Sequence, residues 1–547
     1  MHLVKDYVSD LREEFSGYNG KKLSKDLMSG ITVAAVALPL ALAFGVSSGA
    51  TAAAGLVTAI IGGVIISIFS GASFQISGPT GAMTAILVTL ASKYGMQGIL
   101  TACFIAGIIL VIAGILRLGR VIYYIPSSVI TGFTSGIALI IALGQLDNFF
   151  GVTSSGDLAI TKVLSYFTNG FDPNWQAVAI GAAVMLLMIV WPKKLNDKIP
   201  SSLAALVIVL IVCHFLNPDV ETVGQIPKSL FLDDRLSLGG MNMAQFWDLF
   251  VPALSIAALG MIESLLCGAS AGKMKKEELN ADRELVAQGI GNMVIPLFGG
   301  IPATAAIART SVAIRSGCQT RITGIFHAVI LLLSMFVLSP VMSQVPLSAL
   351  AGILIITAWR MNDWKNIHFI FDHKFRSGML KFFITMIATV VLDLTQAIII
   401  GVAFSSFLII VKLTDIDISV SEIDKDRLEE VGVHLPKISN KVRIAYLTGA
   451  IFFAVVDKLV KQLGKQDSAE ALILSMRGVP VIDLSGIEAM IDLVKELEAN
   501  GTEVYLTSVQ PKVLEEMRKG GLIDLIGEEY VFQSAEQAIV IAQQEHM

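Results

Sequence analysis

The feature that most limits what this chain can become is where its charge lies. From Gly30 to Leu413 charged residues are sparse and gather in short breaks between apolar runs, whereas from Asp415 onward they recur every few residues. Soluble domains carry about 25% charged residues. This 547-residue chain carries 16%, against 54% hydrophobic, so lipid is the solvent for most of it. A bilayer core about 30 Å thick needs about 20 apolar residues per spanning helix. On that basis residues 26–414 form a multi-pass α-helical membrane domain, with a short polar segment at 1–25 before it and a soluble domain at 415–547 after it. Leu3, Val4, Tyr7, Val8, Leu11 and Phe15 alternate with charged residues in the first segment, which predicts a short interfacial helix.

Fourteen segments are predicted, near 29–48, 51–70, 79–92, 96–116, 122–145, 176–191, 199–216, 250–270, 284–299, 304–315, 322–339, 345–359, 378–393 and 395–412. With a cytoplasmic N-terminus, the inside ends hold 22 Lys and Arg and the outside loops hold four: Lys93, Lys162, Lys228 and Arg235. That asymmetry is what the positive-inside rule demands. An even number of spans returns the C-terminal domain to the cytoplasm. The expected setting is a bacterial inner (plasma) membrane with both termini inside.

Two segments are too short to cross, and they occupy matching places. Pro79 opens the third, in Ser77-Gly78-Pro79-Thr80-Gly81, and Pro302 opens the tenth, in Gly299-Gly300-Ile301-Pro302-Ala303-Thr304, 223 residues later. Seven segments precede the long loop at 217–249 and seven follow it, so repeat one (about 26–216) and repeat two (about 247–414) are inserted in opposite senses. Short, Gly/Pro-interrupted segments at equivalent places in two halves point to a central binding site. A helix N-terminus presents unpaired N–H groups and about half a positive charge. Two of them meeting in mid-membrane make a cradle for an anion. Gly81, Ala82, Ala305 and Ala306 are small enough to let an oxyanion reach the backbone, and both prolines suit a first helical turn. Thr80 and Thr304 either cap these helices or donate a hydroxyl to the ligand.

These motifs, the fourteen segments and the tail together resemble the sulfate permease (SulP, solute carrier 26) family. Pro39-Leu40-Ala41-Leu42-Ala43-Phe44-Gly45 is similar to the cyanobacterial bicarbonate branch. The resemblance implies a 7+7 inverted repeat in which a core domain (segments 1–4 and 8–11) moves against a gate domain (segments 5–7 and 12–14). It also implies a homodimer, an anion site between the third and tenth segments, Phe44 as a pocket wall and Arg309 as the anion-site arginine. Arg309 is equally readable as a charge partner for Glu263 or for the domain interface. Glu263 stands in an otherwise apolar helix, where a lone ionisable group is functional by default; it is either the coupling residue or a hydrogen-bonded strut. Related transporters build a cation site here, but this chain offers Cys267 and Ile307 in place of hydroxyl residues. That favours a coupling proton over sodium. His327, in the eleventh segment, reads as a packing residue.

The tail alternates strand-like runs (442–447, 471–476, 503–507) with helical ones (452–464, 486–498, 510–518, 534–545), a small α/β domain. Val481-Ile482-Asp483-Leu484-Ser485-Gly486 resembles the STAS loop, which makes Ser485 a regulatory candidate or else a helix cap, and makes a cytoplasmic protein partner conceivable. No catalytic triad, phosphate-binding loop, metal cluster or basic patch for nucleic acid is recognisable, so no enzyme, cofactor or metal is expected. The expected function is secondary active transport of a small anion (sulfate, bicarbonate or a dicarboxylate) by elevator-like alternating access, with proton symport through Glu263. The alternatives are a sodium-coupled bicarbonate symporter and an anion channel or exchanger without cation coupling.

Overall fold

The computed structural model describes residues 2–154, 164–168, 170–196, 199–237, 243–392, 394–430, 433, 435, 437–464 and 469–546. The chain divides into two compact units, Met1–Ala403 and Phe404–Met547, upstream of the composition shift at Asp415.

The first unit is helical. Its elements are α1 (His2–Glu14), α2 (Gly20–Ser47), α3 (Ala52–Phe69), β1 (Ser77–Gly78), α4 (Gly81–Ile115), α5 (Ser127–Gly144), α6 (Leu146–Phe150), α7 (Trp175–Val190), α8 (Lys193–Asn196) and α9 (Ser201–Leu216). After the long loop come α10 (Met243–Lys275), α11 (Ala281–Val294), β2 (Thr304–Ala305), α12 (Ile307–Arg315), α13 (Ile322–Met342), α14 (Leu347–Met361), α15 (Trp364–Asp372), α16 (Arg376–Val391) and α17 (Leu394–Leu413), the last of which begins in this unit and ends in the next. Every predicted segment has its helix. The third and fourth run on as α4, broken at Gly95, whose φ of +63° lets the chain leave one helical axis and begin another. The piece before that break is about 20 Å long and α12 is about 14 Å, both short of a bilayer core.

The two short helices are brought nose to nose by β1 and β2, which pair antiparallel with Ser77 opposite Ala305 and Gly78 opposite Thr304. Ala306 N donates to Ile76 O at 2.9 Å, and Ile76 N donates to the Thr310 hydroxyl at 3.1 Å. Asn292 clamps the second lead-in, donating to Ala303 O and accepting from Ala303 N, while the Thr58 hydroxyl accepts from Ile301 N. The repeats are also knitted through their helices. A Cβ on Gly107 of α4 would stand 2.7 Å from Gly289 O of α11, so only glycine permits this backbone contact.

The prolines do not stand in first turns. Pro79 precedes the N-cap of α4, and Pro302 lies before β2, four residues short of the N-cap of α12. The two N-caps, Thr80 and Ala306, are 226 residues apart, so the structural repeat is three residues out of step with the 223-residue proline spacing. The predicted first helix is present as α1, and it is tied to the rest of the unit by side-chain contacts. Tyr7 donates its hydroxyl to Ile68 O at 2.7 Å and lies under the guanidinium groups of Arg283 and Arg321, which pair with Asp10 and Glu14. Tyr18 donates to Asp26; burial first, and then that carboxylate, push its phenol up to about 12, so it stays a donor at physiological pH.

The second unit holds a five-stranded sheet in the order β3 (Asp417–Glu422), β4 (Val442–Thr448), β5 (Ala471–Gly478), β6 (Glu503–Thr507) and β7 (Val531–Phe532). Only β3 is antiparallel to its neighbour. Helices Leu484–Ala499 and Pro511–Lys519 cover one apolar face, and Ala535–Glu545 covers the other. Asp483, not Ser485, caps the helix at 484–499, accepting from Gly486 N at 2.7 Å; Ser485 is half-buried in the first turn.

Candidate functional site

The crossed helix ends open onto one cavity of about 430 Å³. Val36, Leu40 and Phe44 of α2, the start of α4, Ile262 and Glu263 of α10, and Ala305–Arg309 with Ser311 and Val312 line one side. Phe133, Thr134 and Ile137 of α5, Met188 of α7, Ser201 and Ser202 of α9, and Thr357, Arg360 and Met361 of α14 line the other. The cavity therefore lies between the two groups of segments that the core and gate assignment separates.

Neither helix end is closed by a side chain. Thr80 and Ala306 have extended backbones suited to an N-cap, and neither makes a side-chain capping bond. The first-turn N–H groups of α4 and α12 thus face the cavity with their positive ends unspent. At the first mouth, Gly81 is tightly enclosed: a Cβ there would stand 2.4 Å from Ile141 Cδ1 and 3.1 Å from Phe44 Cε1.

Of the predicted residues, Phe44, Thr80, Gly81, Glu263, Ala305, Ala306 and Arg309 line the cavity. Ala82 and Thr304 are fully buried behind the lining. Thr304 shares a 2.9 Å hydrogen bond with the Ser264 hydroxyl, and this packing role replaces capping or ligand contact. Thr80 does not cap its helix either, because its hydroxyl donates to Glu263 Oε2 at 2.8 Å. That bond fixes the carboxylate at the mouth of α4. No ion pair joins Glu263 to Arg309 among the described residues. Instead Arg309 Nη2 donates to Pro79 O, and its Nη1 stands 2.1 Å from where a Cβ on Gly78 would lie. Gly78 is thus the only residue type that leaves room for the guanidinium.

Cys267 donates to Thr310 at 3.4 Å, and Ile307 presents an alkyl chain at the first position of α12, so neither offers an oxygen to a cation. His327 is fully buried against Gly63 of α3, and neither ring nitrogen has a protein hydrogen-bond partner within 3.5 Å. Sequence reasoning missed Arg360, which lines the cavity while donating to the Ser201 hydroxyl and to Met188 O. Its only signal was a position at the end of the twelfth segment, where it counted as an inside charge.

An inverted repeat whose two broken helices meet at a two-sided cavity defines a carrier-type membrane protein. The sulfate permease family pattern matches residues 23–388 and the STAS domain pattern matches residues 436–538. The chain belongs to the sulfate permease family, as a fourteen-segment inverted repeat followed by a STAS domain, and its relatives are transporters rather than enzymes. It is 35% identical over 534 residues to YvdB of Bacillus subtilis (strain 168), provisionally named a sulfate transporter, covering 95% of this chain and 97% of that one. It is 28% identical over 543 residues to the bicarbonate transporter BicA of Picosynechococcus (strain PCC 7002), covering 95% and 94%. The murine Slc26a9 anion transporter, solved in an inward-facing state, superposes with a TM-score of 0.83 at 18% identity over 96% of this chain and 92% of its own, a likeness of fold.

Proposed function

We propose that this chain is a secondary active transporter that carries one small oxyanion or carboxylate, of the sulfate, bicarbonate or dicarboxylate class, in symport with a proton. The observation that carries this reading is the pair of uncapped helix N-termini facing a single cavity. Backbone N–H groups select charge and size without a side-chain code, which suits a small anion. The names of the bacterial and cyanobacterial relatives agree with that class.

Proton coupling follows from the position of Glu263. An anion seated between the helix ends meets this carboxylate in the same cavity, and two negative charges so enclosed repel strongly in a medium of low polarity. A proton on Glu263 removes the repulsion, so anion and proton travel together. Cys267 and Ile307 supply no oxygen for sodium, which argues for the proton.

The core side of the cavity carries both helix ends and Glu263, while the gate side supplies walls, so sliding one against the other transfers the loaded site in elevator fashion. Asn196, Pro200 and Arg360 line the cavity at segment ends that the charge census places inside, which supports a site open to the cytoplasm. Both termini are then cytoplasmic, in a plasma membrane. A homodimer and a protein partner for the STAS domain complete the reading.

The test is uptake by purified protein in liposomes against a panel of sulfate, bicarbonate and dicarboxylates. Accumulation driven by an inward proton gradient is expected in wild type and lost in Glu263→Gln, while anion exchange persists. Equal gradient-driven uptake by the variant makes Glu263 a strut and ends the proton reading.

A further inference from the structure

At the cavity wall and behind it, Arg309 and His327 lie against the same helix, α3, with most of their hydrogen-bonding capacity unused. Arg309 is 1% exposed, and among its nitrogens Nε and Nη1 have no protein acceptor. His327, wholly buried, has no protein partner at Nδ1 or Nε2. No carboxylate pairs with either one among the described residues. Buried polar groups without partners are rare because each costs on the order of 1–3 kcal/mol. Two of these four atoms, Arg309 Nη1 and His327 Nδ1, have a shared explanation.

Their placement on α3 supplies one. The point where Arg309 Nη1 crowds Gly78 is 3.5 Å from the Cα of Ala59. His327 Nδ1 is 3.3 Å from where a Cβ on Gly63 would stand. Ala59 and Gly63 are four residues apart on one face of α3, about 6 Å along its axis. A guanidinium offers donors only, whereas a neutral imidazole offers one acceptor nitrogen. One water making two hydrogen bonds of about 2.9 Å at a near-tetrahedral angle joins groups about 5 Å apart, the scale of one helical turn.

Resting on the anion-site reading above, we infer that His327 is a positioning residue for Arg309, acting through one buried water that accepts from the guanidinium and donates to the imidazole. The hydrogens balance: Arg309 N–H to the water oxygen, water O–H to the ring nitrogen. Held in this way, the guanidinium keeps its plane beside Gly78 and Pro79, at the base of the first helix mouth, and its charge stays directed at the cavity. Without the imidazole, the arginine loses the water that fixes it and turns to find other acceptors. A ring with no contact to the anion thereby sets anion affinity.

The test is a double-mutant cycle on sulfate and bicarbonate binding by isothermal titration, with detergent-purified proteins that are folded by thermal melt. Loss of one such bridge is worth about tenfold in dissociation constant. His327→Leu is expected to weaken binding by about tenfold, and His327→Gln, which restores an acceptor, to stay within about twofold of wild type. Should His327→Leu not fold, His327→Phe, which keeps the ring volume, takes its place. In an Arg309→Ala background the apolar variant is expected to cost nothing further, because the residue it positions is gone. Wild-type affinity in the apolar variant, or the same loss with and without Arg309, overturns the inference. If Arg309→Ala itself binds both anions as wild type does, the anion-site reading fails instead, and the two failures are distinguished by that single variant.

Discussion

The two helix mouths share a backbone plan and differ in almost every side chain. Both are N-termini without a capping side chain, delivered by a short strand into one cavity. The first mouth begins on Thr80 and Gly81 and draws in charges from elsewhere: Glu263 arrives from α10 through the Thr80 hydroxyl, and Arg309 arrives from α12 onto Pro79 O. The second begins on Ala306 and Ile307, and among the described residues no charged side chain of the first repeat lines the cavity beside it; Ile307 is half exposed to the cavity. The inverted repeat thus duplicates dipoles but not chemistry. Duplication supplies two positive ends for an anion, and divergence concentrates the acid and the base at one of them, where binding of a negative ligand and protonation of Glu263 can influence each other.

The comparison breaks most easily by volume. Leucine at Gly81 collides with Ile141 and Phe44, and leucine at Ala306 fills the opposite helix end. Each is expected to weaken anion binding by about 100-fold or more, since inserted bulk at a packed site costs about 1–3 kcal/mol before the lost ligand contacts are counted. If only Gly81→Leu does so, the second mouth is a scaffold rather than half of the site.

A smaller pair of changes sharpens the asymmetry. Thr80→Val removes the bond that anchors Glu263, worth about 1 kcal/mol, and is expected to cut proton-driven accumulation about fivefold. Thr304→Val removes a bond to Ser264 away from the lining and should lower thermal stability while leaving uptake within about twofold. Comparable uptake losses in both variants, measured in the same liposomes, would contradict the division of labour between the mouths.

Much of this architecture is legible in the residues alone, because spanning helices are set by run length and charge, which are local. All fourteen segments and the three central strands of the second unit, β4, β5 and β6, follow from such local patterns, whereas the edge strands β3 and β7 do not. Long-range register is not local. Strands of two residues carry no periodicity, so the pairing of Ser77 with Ala305 leaves no mark in the sequence, and the conspicuous prolines suggest an offset three residues short of the true one. The same limit explains Thr304 and Ala82, which turn away from the cavity once the strands cross, and His327, whose missing partners appear only when α3 and α13 pack. Arg360 escapes notice because its cavity contact depends on α7 and α9, more than 140 residues earlier. Composition finds small residues at the mouths but not which of them face the ligand.

The account stands on one placement: a negative ligand held between the N-termini of α4 and α12. Selenate, a sulfate analogue with an anomalously scattering atom, locates that ligand directly in crystals of the purified protein. The account predicts an anomalous peak in the gap between Gly81 and Ala306, within hydrogen-bonding reach of first-turn N–H groups from both helices. A peak elsewhere in the membrane unit, with that gap empty in a protein shown to bind selenate, would contradict it.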